Sequence, residues 1–183
     1  MNFKMKRYLL KLAGAVLALT LVLMSLVGCS AGNANTPDYS AEEILSAVRE
    51  AYGDNYLPTE PMDDMFITEV LGISLDNVED YAGELPMTSI QPDRVLILKA
   101  ASGKGADVEA DVNAALDIIK ANAGFYPMNM AKANAAKVLR HGDYVCLLLV
   151  GAVDETSETE EDAAKFAEEQ VKIAVDAVNA LFK

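Results

Sequence analysis

Apolar positions recur along this chain with two distinct periods, and the switches between them mark out its elements. Ser40 and Glu43 have the spacing of a capping box, and Ile44, Leu45, Val48 and Tyr52 then fall at helical intervals, predicting a first helix stopped at Gly53. Leu57 to Pro61 breaks the chain, and Met62 to Leu71 reads as a short second helix ended by Gly72. A polar turn from Leu75 to Asp80 leads into Gly83 to Ile90, an edge strand because Pro86 cannot donate to a ladder. Arg94 to Ala100 is β-rich and buried, and the Ser102 to Gly105 turn closes it. Val108, Val112, Leu116 and Ile119 then form one helical stripe ending before Gly124. Ala135 to Leu139 and Tyr144 to Val150 flank Arg140 to Asp143 as a hairpin with Gly142 at the permissive turn position. Tyr144 to Val150 is apolar throughout, the mark of a central strand.

The last segment opens with acids between Asp154 and Asp162, which complement a helix N-terminus, and buries Ala167, Val171, Ala174, Val175, Val178, Leu181 and Phe182. The order α, short α, β, β, α, β, β, α predicts an α+β fold. The simplest arrangement is a two-layer sandwich, a small antiparallel or mixed sheet of about four strands packed against helices on one face.

The N-terminus is patterned differently. Lys4, Lys6, Arg7 and Lys11 precede an almost unbroken apolar run from Leu12 to Val27, a charged n-region followed by an h-region. The run falls short of the roughly 20 residues that span a bilayer. Leu26-Val27-Gly28-Cys29 then matches a lipoprotein signal box, in which a thiol is needed for alkylation by lipid and small residues for the cleavage beside it. The expectation is a signal peptide over 1–28, lipid on Cys29 with a flexible tether over 29–38, and a single α+β domain over 39–183. Two or three acyl chains would hold the mature chain at the extracytoplasmic face of the cell membrane without a spanning helix.

Charge narrows the partners. Residues 1–28 hold four basic side chains and no acid, so their removal takes the chain from −13 to −17, with 11 basic against 28 acidic residues. So acidic a domain is repelled by nucleic acid and by anionic headgroups, which argues for a membrane connection made through lipid on Cys29 alone. With Cys29 committed to lipid, Cys146 has no partner for an intramolecular disulfide.

The stretch from about Val70 to Gly151 resembles the DUF 4358 family, uncharacterised domains on lipoproteins of Gram-positive bacteria. Leu71-Gly72-Ile73, Val78 to Tyr81, Leu85-Pro86-Met87, the Asp93 to Lys99 strand, Tyr126-Pro127 and Gly142 to Val145 carry the likeness, through their order and spacing. The resemblance implies a location and a fold, and no known activity.

Candidate chemistry is sparse. His141, the single histidine, stands beside Asp143 and is either an oriented base or a solvated turn residue. Cys146, inside an apolar strand, is either a nucleophile or an inert core thiol. The adjacent pairs Asp63-Asp64 and Glu160-Glu161 do not face one bond from opposite sides, as paired catalytic carboxylates must. No His or Cys cluster points to zinc, and the acids of 154–162 lack the spacing of an EF-hand, which leaves helix capping or a weaker calcium site. No phosphate loop or other cofactor motif is present. Tyr126, Pro127, Met128 and Met130 form an apolar loop segment, read either as an interaction surface or as side chains folded over the core. The reading that follows is a non-catalytic binding or accessory module of the cell envelope, contacting an envelope protein or a wall component. A small hydrolase without a recognisable motif is the alternative; solute capture for a transporter is disfavoured because the domain is small for two lobes around a ligand.

Overall fold

The computed structural model describes residues 37–123 and 127–183, the side chains of Ala123, Pro127 and Met128 excepted. In chain order the elements are α1 (Ala41–Tyr52), a 3-10 turn (Gly53–Asn55), β1 (Glu60–Pro61), a π-helical turn (Phe66–Val70), β2 (Val78–Leu85) and β3 (Arg94–Ala100). Then follow α2 (Gly105–Ala123), α3 (Pro127–Ala135), β4 (Lys137–His141), β5 (Tyr144–Leu149) and α4 (Glu160–Leu181). The strands make one five-stranded sheet in the order β1-β2-β3-β5-β4, antiparallel at every pairing.

The α+β class and the antiparallel sheet are as expected from the sequence, but the layering differs. Side chains alternate across a strand, and here both sets are apolar. Leu96, Leu98, Val145, Leu147 and Leu149 pack with Val108, Val112, Leu116 and Ile119 of α2 and with Ile67, Leu71 and Ile73. Val95, Ile97, Cys146 and Leu148 face the other way, onto Ile44, Leu45 and Val48 of α1 and Ala167, Val171, Ala174 and Val178 of α4. Helices therefore cover both faces, giving three layers in place of two. Continuous apolar runs in β3 and β5 are what a doubly covered sheet requires.

Two further differences concern β2 and α3. The strand expected at 83–90 lies at Val78–Leu85, ending at Pro86, and it is not the edge. The two residues of β1 take that place, with Thr59 N–H donating to Leu85 O at 3.0 Å and Met62 N–H to Gly83 O at 2.8 Å. Pro127–Ala135 is a helix that ends where the hairpin strand was expected to start. The hairpin itself has a two-residue turn with Gly142 at φ 61°, a left-handed value that glycine adopts freely.

The first helix starts as its spacing predicts, and the cap of α4 is found only in the structure. Ser40 and Glu43 form a reciprocal capping box, and Thr159 caps α4 through Asp162 N–H at 3.1 Å. Among the described residues no helix is long and apolar enough to cross a membrane.

A grooved pole opposite the chain entry

The two ends of the central strands β3 and β5 differ in chemistry. At one end the N-terminal segment joins the fold. Tyr39 N–H donates to the Tyr144 hydroxyl at 2.9 Å, which donates in turn to Tyr39 O at 2.8 Å, and Lys99 Nζ reaches Asp38 Oδ1 at 2.6 Å. Phe182 packs edge-on to Tyr39 with ring centroids 5.7 Å apart, and stacks on His141 at 4.6 Å. Lys99 sits five residues after Arg94 along β3, so this end lies about 17 Å from the other.

His141 and Asp143 both belong to the entry end, and the structure separates their roles. His141 closes β4 half-buried, with its Nε2 2.8 Å from Asn179 Oδ1, and is not a solvated turn residue. The Asp143 carboxylate accepts from the backbone N–H groups of Gly103 and Gly105, both at 3.1 Å, and so holds the start of α2 against the hairpin turn. The two are neighbours in sequence, but His141 bonds to α4 while Asp143, in the turn, caps α2. Cys146 is fully buried, and burial pushes its thiol up to about 12. Such a thiol stays protonated and makes a poor nucleophile.

The opposite end is built by the segment before β3, the end of α2, α3 and the start of α4. Two concavities open there. The larger, about 410 Å³, is lined by Val70, Leu71, Pro92, Ile118 and Ile119, with Gln91, Asn122, Asn129 and Arg94 among its polar groups. The smaller, about 220 Å³, lies between Ile90, Val153, Phe166 and Lys132. Gln91, Pro92 and Asn129 line both, so the 90–92 segment is a ridge between them. Asn129 Nδ2 donates to Ile90 O at 2.6 Å and fastens this ridge to α3.

Most of the exposed apolar bulk collects here. Val70 and Ile118 on the first concavity, and Ile90 and Val153 on the second, are each more than half exposed. Met87, 78% exposed, stands on the same segment. Apolar side chains concentrated around a concavity mark an interaction surface more specifically than single exposed ones do.

Beneath the ridge lies an ion pair. Asp93, 0% exposed, receives Lys132 Nζ at 3.0 and 3.1 Å and the Gly151 N–H at 3.2 Å, and Lys132 also donates to Gly151 O at 2.9 Å. Burial pushes the Asp93 carboxyl above the usual carboxylate range, against the pull of Lys132. The network ties the start of β3 to α3 and to the end of β5. Pattern reading along the chain misses it because Asp93 and Lys132 are 39 residues apart and lie outside any periodic stripe.

Of the residues expected to form an interaction surface, Tyr126 lies outside the described residues, as do Cys29 and the signal segment. Pro127 and Met128 belong to α3 by backbone. Met130 is half-buried and packs against the core on the α2 side of the sheet. The acids of 154–162 act locally: Asp154 Oδ1 accepts from Thr156 N–H at 3.1 Å and Ser157 N–H at 3.0 Å, and the Ser157 side chain together with these N–H groups holds its carboxyl below the usual range. Among the described residues no group of three or more His, Cys, Asp or Glu side chains is close enough to hold a metal ion.

A sheet covered on both faces, with a grooved pole at the far end from the chain entry, defines a small three-layer α+β domain. The chain belongs to the DUF4358 family, a domain of unknown function, whose model matches residues 51–150. No curated protein and no solved structure matches it. The matched span holds β1 to β5, α2 and α3, but only the end of α1 and none of α4. The helices covering one whole face of the sheet therefore lie almost entirely outside it.

Proposed function

We propose that this chain is a bacterial lipoprotein, anchored by lipid on Cys29 at the extracytoplasmic face of the cytoplasmic membrane, and that its domain is a non-catalytic binding module for another envelope protein or a wall component. The observation that carries the reading is the opposition of the two ends. The chain enters at Asp38 and Tyr39, and the apolar-rimmed groove opens at the start of β3, about 17 Å away along the strand. A domain tethered at its entry end keeps the far end, with the groove, free for a partner. Asp38 follows Cys29 by nine positions, a reach of about 30 Å at full extension, enough to lift a domain of net charge −17 clear of anionic headgroups. The lipobox Leu26-Val27-Gly28-Cys29 supports the anchor.

The test is cross-linking of the native chain in intact cells, followed by affinity purification under wild-type, Val70→Asp and Ile118→Asp conditions. Both positions are exposed, so the fold tolerates the charge. One dominant envelope partner that is lost in both variants is the expected result. A partner retained in both places the interface elsewhere and defeats the reading. In parallel, Cys29→Ala is expected to abolish incorporation of labelled palmitate, and continued labelling defeats the anchor.

A further inference from the structure

We infer that the larger groove takes the free C-terminal carboxylate of a short apolar peptide, with Arg94 as its anion-binding group. This rests on reading the grooved pole as the binding surface, and it names the chemistry of what binds.

The inference starts from strand alternation. Asp93, just before β3, and Arg94, its first residue, are neighbours in sequence, yet their side chains leave the extended backbone on opposite faces. Asp93 turns to the α1 and α4 side and is neutralised there by Lys132. Arg94 turns to the α2 side, where Leu96 and Leu98 follow it, and lines the groove. Among the described residues no carboxylate comes within 4.0 Å of it, while Arg49, Lys99, Lys104, Lys132, Arg140, Lys165 and Lys172 each have one; Lys120, Lys137 and Lys183 also lack one, but none of them lines the groove. In a chain with 28 acids to 15 bases, a half-buried cation without an acidic partner runs against composition.

The guanidinium is also underused as a donor. It has five N–H groups, and among the described residues its one acceptor is Pro92 O, at 2.9 Å from one terminal nitrogen. Its Nε is buried with no hydrogen-bond partner. Burial holds the guanidinium below its usual value, a desolvation that a bound anion would offset. Buried polar groups are ordinarily satisfied, and the second terminal nitrogen, without an acceptor among the described residues on a side chain that lines the groove, points to an acceptor supplied by a ligand.

The walls select the rest of the ligand. None of the ten lining residues is acidic, so no carboxylate on the wall competes for Arg94. One guanidinium balances one charge, which suits a carboxylate better than a phosphate dianion, and its planar fork matches a carboxylate's two oxygens. Val70, Leu71, Pro92, Ile118 and Ile119 offer apolar contacts, and the side-chain amides of Gln91 and Asn122 offer donors and acceptors to a peptide backbone. At about 410 Å³ the groove is in the range of small-ligand sites, roughly 300–1,000 Å³.

The experiment is calorimetric titration of the full chain with N-acetyl-Ala-Leu-Ala bearing a free C-terminus, with the same peptide amidated, and with methyl phosphate, alongside the NMR signal of the Arg94 Nε–H. The free acid is expected to bind about tenfold or more tightly than the amide and to shift the Arg94 signal. Arg94→Gln is expected to erase the preference for acid over amide, with Arg94→Lys between the two, and thermal melts of both variants report whether the fold is kept. Equal binding of acid and amide, tighter binding of methyl phosphate, or no binding of the acid by a folded wild-type chain overturns the inference. Loss of the cellular partner in Val70→Asp and Ile118→Asp is a separate outcome, so the binding-module reading stands or falls on its own test.

Discussion

Replacing Lys132 with Met tests the network under the groove. In the folded chain the Asp93 carboxylate is wholly buried, and its neutralising partner is the Lys132 ammonium at 3.0 Å. Lys132→Met keeps most of the aliphatic stem but leaves a buried carboxylate with the Gly151 N–H as its remaining protein donor outside its own residue, and takes a donor from Gly151 O. Removing one member of a buried pair costs about 3–5 kcal/mol, a third or more of the stability of a typical domain. With a urea dependence of about 2 kcal/mol per molar, the unfolding midpoint should fall by roughly 1.5–2.5 M.

The pH dependence supplies a second signature. A carboxyl raised in the folded state holds a proton that the unfolded chain has already lost, so stability falls as pH rises through the window between the two values. Without Lys132 the folded value rises further and the window widens upward. The variant should therefore regain stability on acidification from neutral pH more steeply than the wild type. Asp93→Asn combined with Lys132→Met should recover part of the loss and flatten that slope, since an amide needs no counterion. A cost for Lys132→Met under about 1 kcal/mol, with an unchanged pH slope, would refute the reasoning.

Two other substitutions and labels follow from close packing. Gly105→Ala would set a Cβ against Gly142 O and 3.0 Å from Asp143 Cα, both backbone of the hairpin turn; we expect a loss of about 1–3 kcal/mol in thermal unfolding, and a loss under about 0.5 kcal/mol would contradict it. In the lipid-modified chain, Cys146 should resist iodoacetamide at pH 8 until denaturant is added, because its thiol is buried and pushed up to about 12; labelling of the folded chain at the rate of a free thiol is the contrary result.

Local pattern was enough for the elements whose signals are short-range. The capping box at Ser40, the Val108 to Ile119 stripe, the β3 and β5 runs and the Gly142 turn each depend on residues within a few positions of one another, and each appears where the spacing puts it. The likeness to DUF4358 was also legible, through the order of motifs between Val70 and Gly151, and the family match confirms it over 51–150. Weak patterns failed where tertiary pairing chose the outcome. Pro127–Ala135 is rich in Ala and Asn with a low apolar contrast, and β2 takes up residues 78–81 because β3 pairs with them.

What only the tertiary structure decided is which side of the sheet each helix covers, and what meets at the ends of the strands. Apolar runs in β3 and β5 say that both faces are buried, but not that α2 covers one and α1 with α4 the other, since that depends on contacts between residues as far apart as Ile44 and Val171. The groove has the same origin. Val70, Pro92, Arg94, Ile118 and Asn129 lie up to 59 positions apart and become neighbours because β3 begins where α2 ends and α3 starts. Alternation then separates Asp93 from Arg94, giving one a buried partner and leaving the other open to the groove, a distinction that adjacency in the sequence conceals.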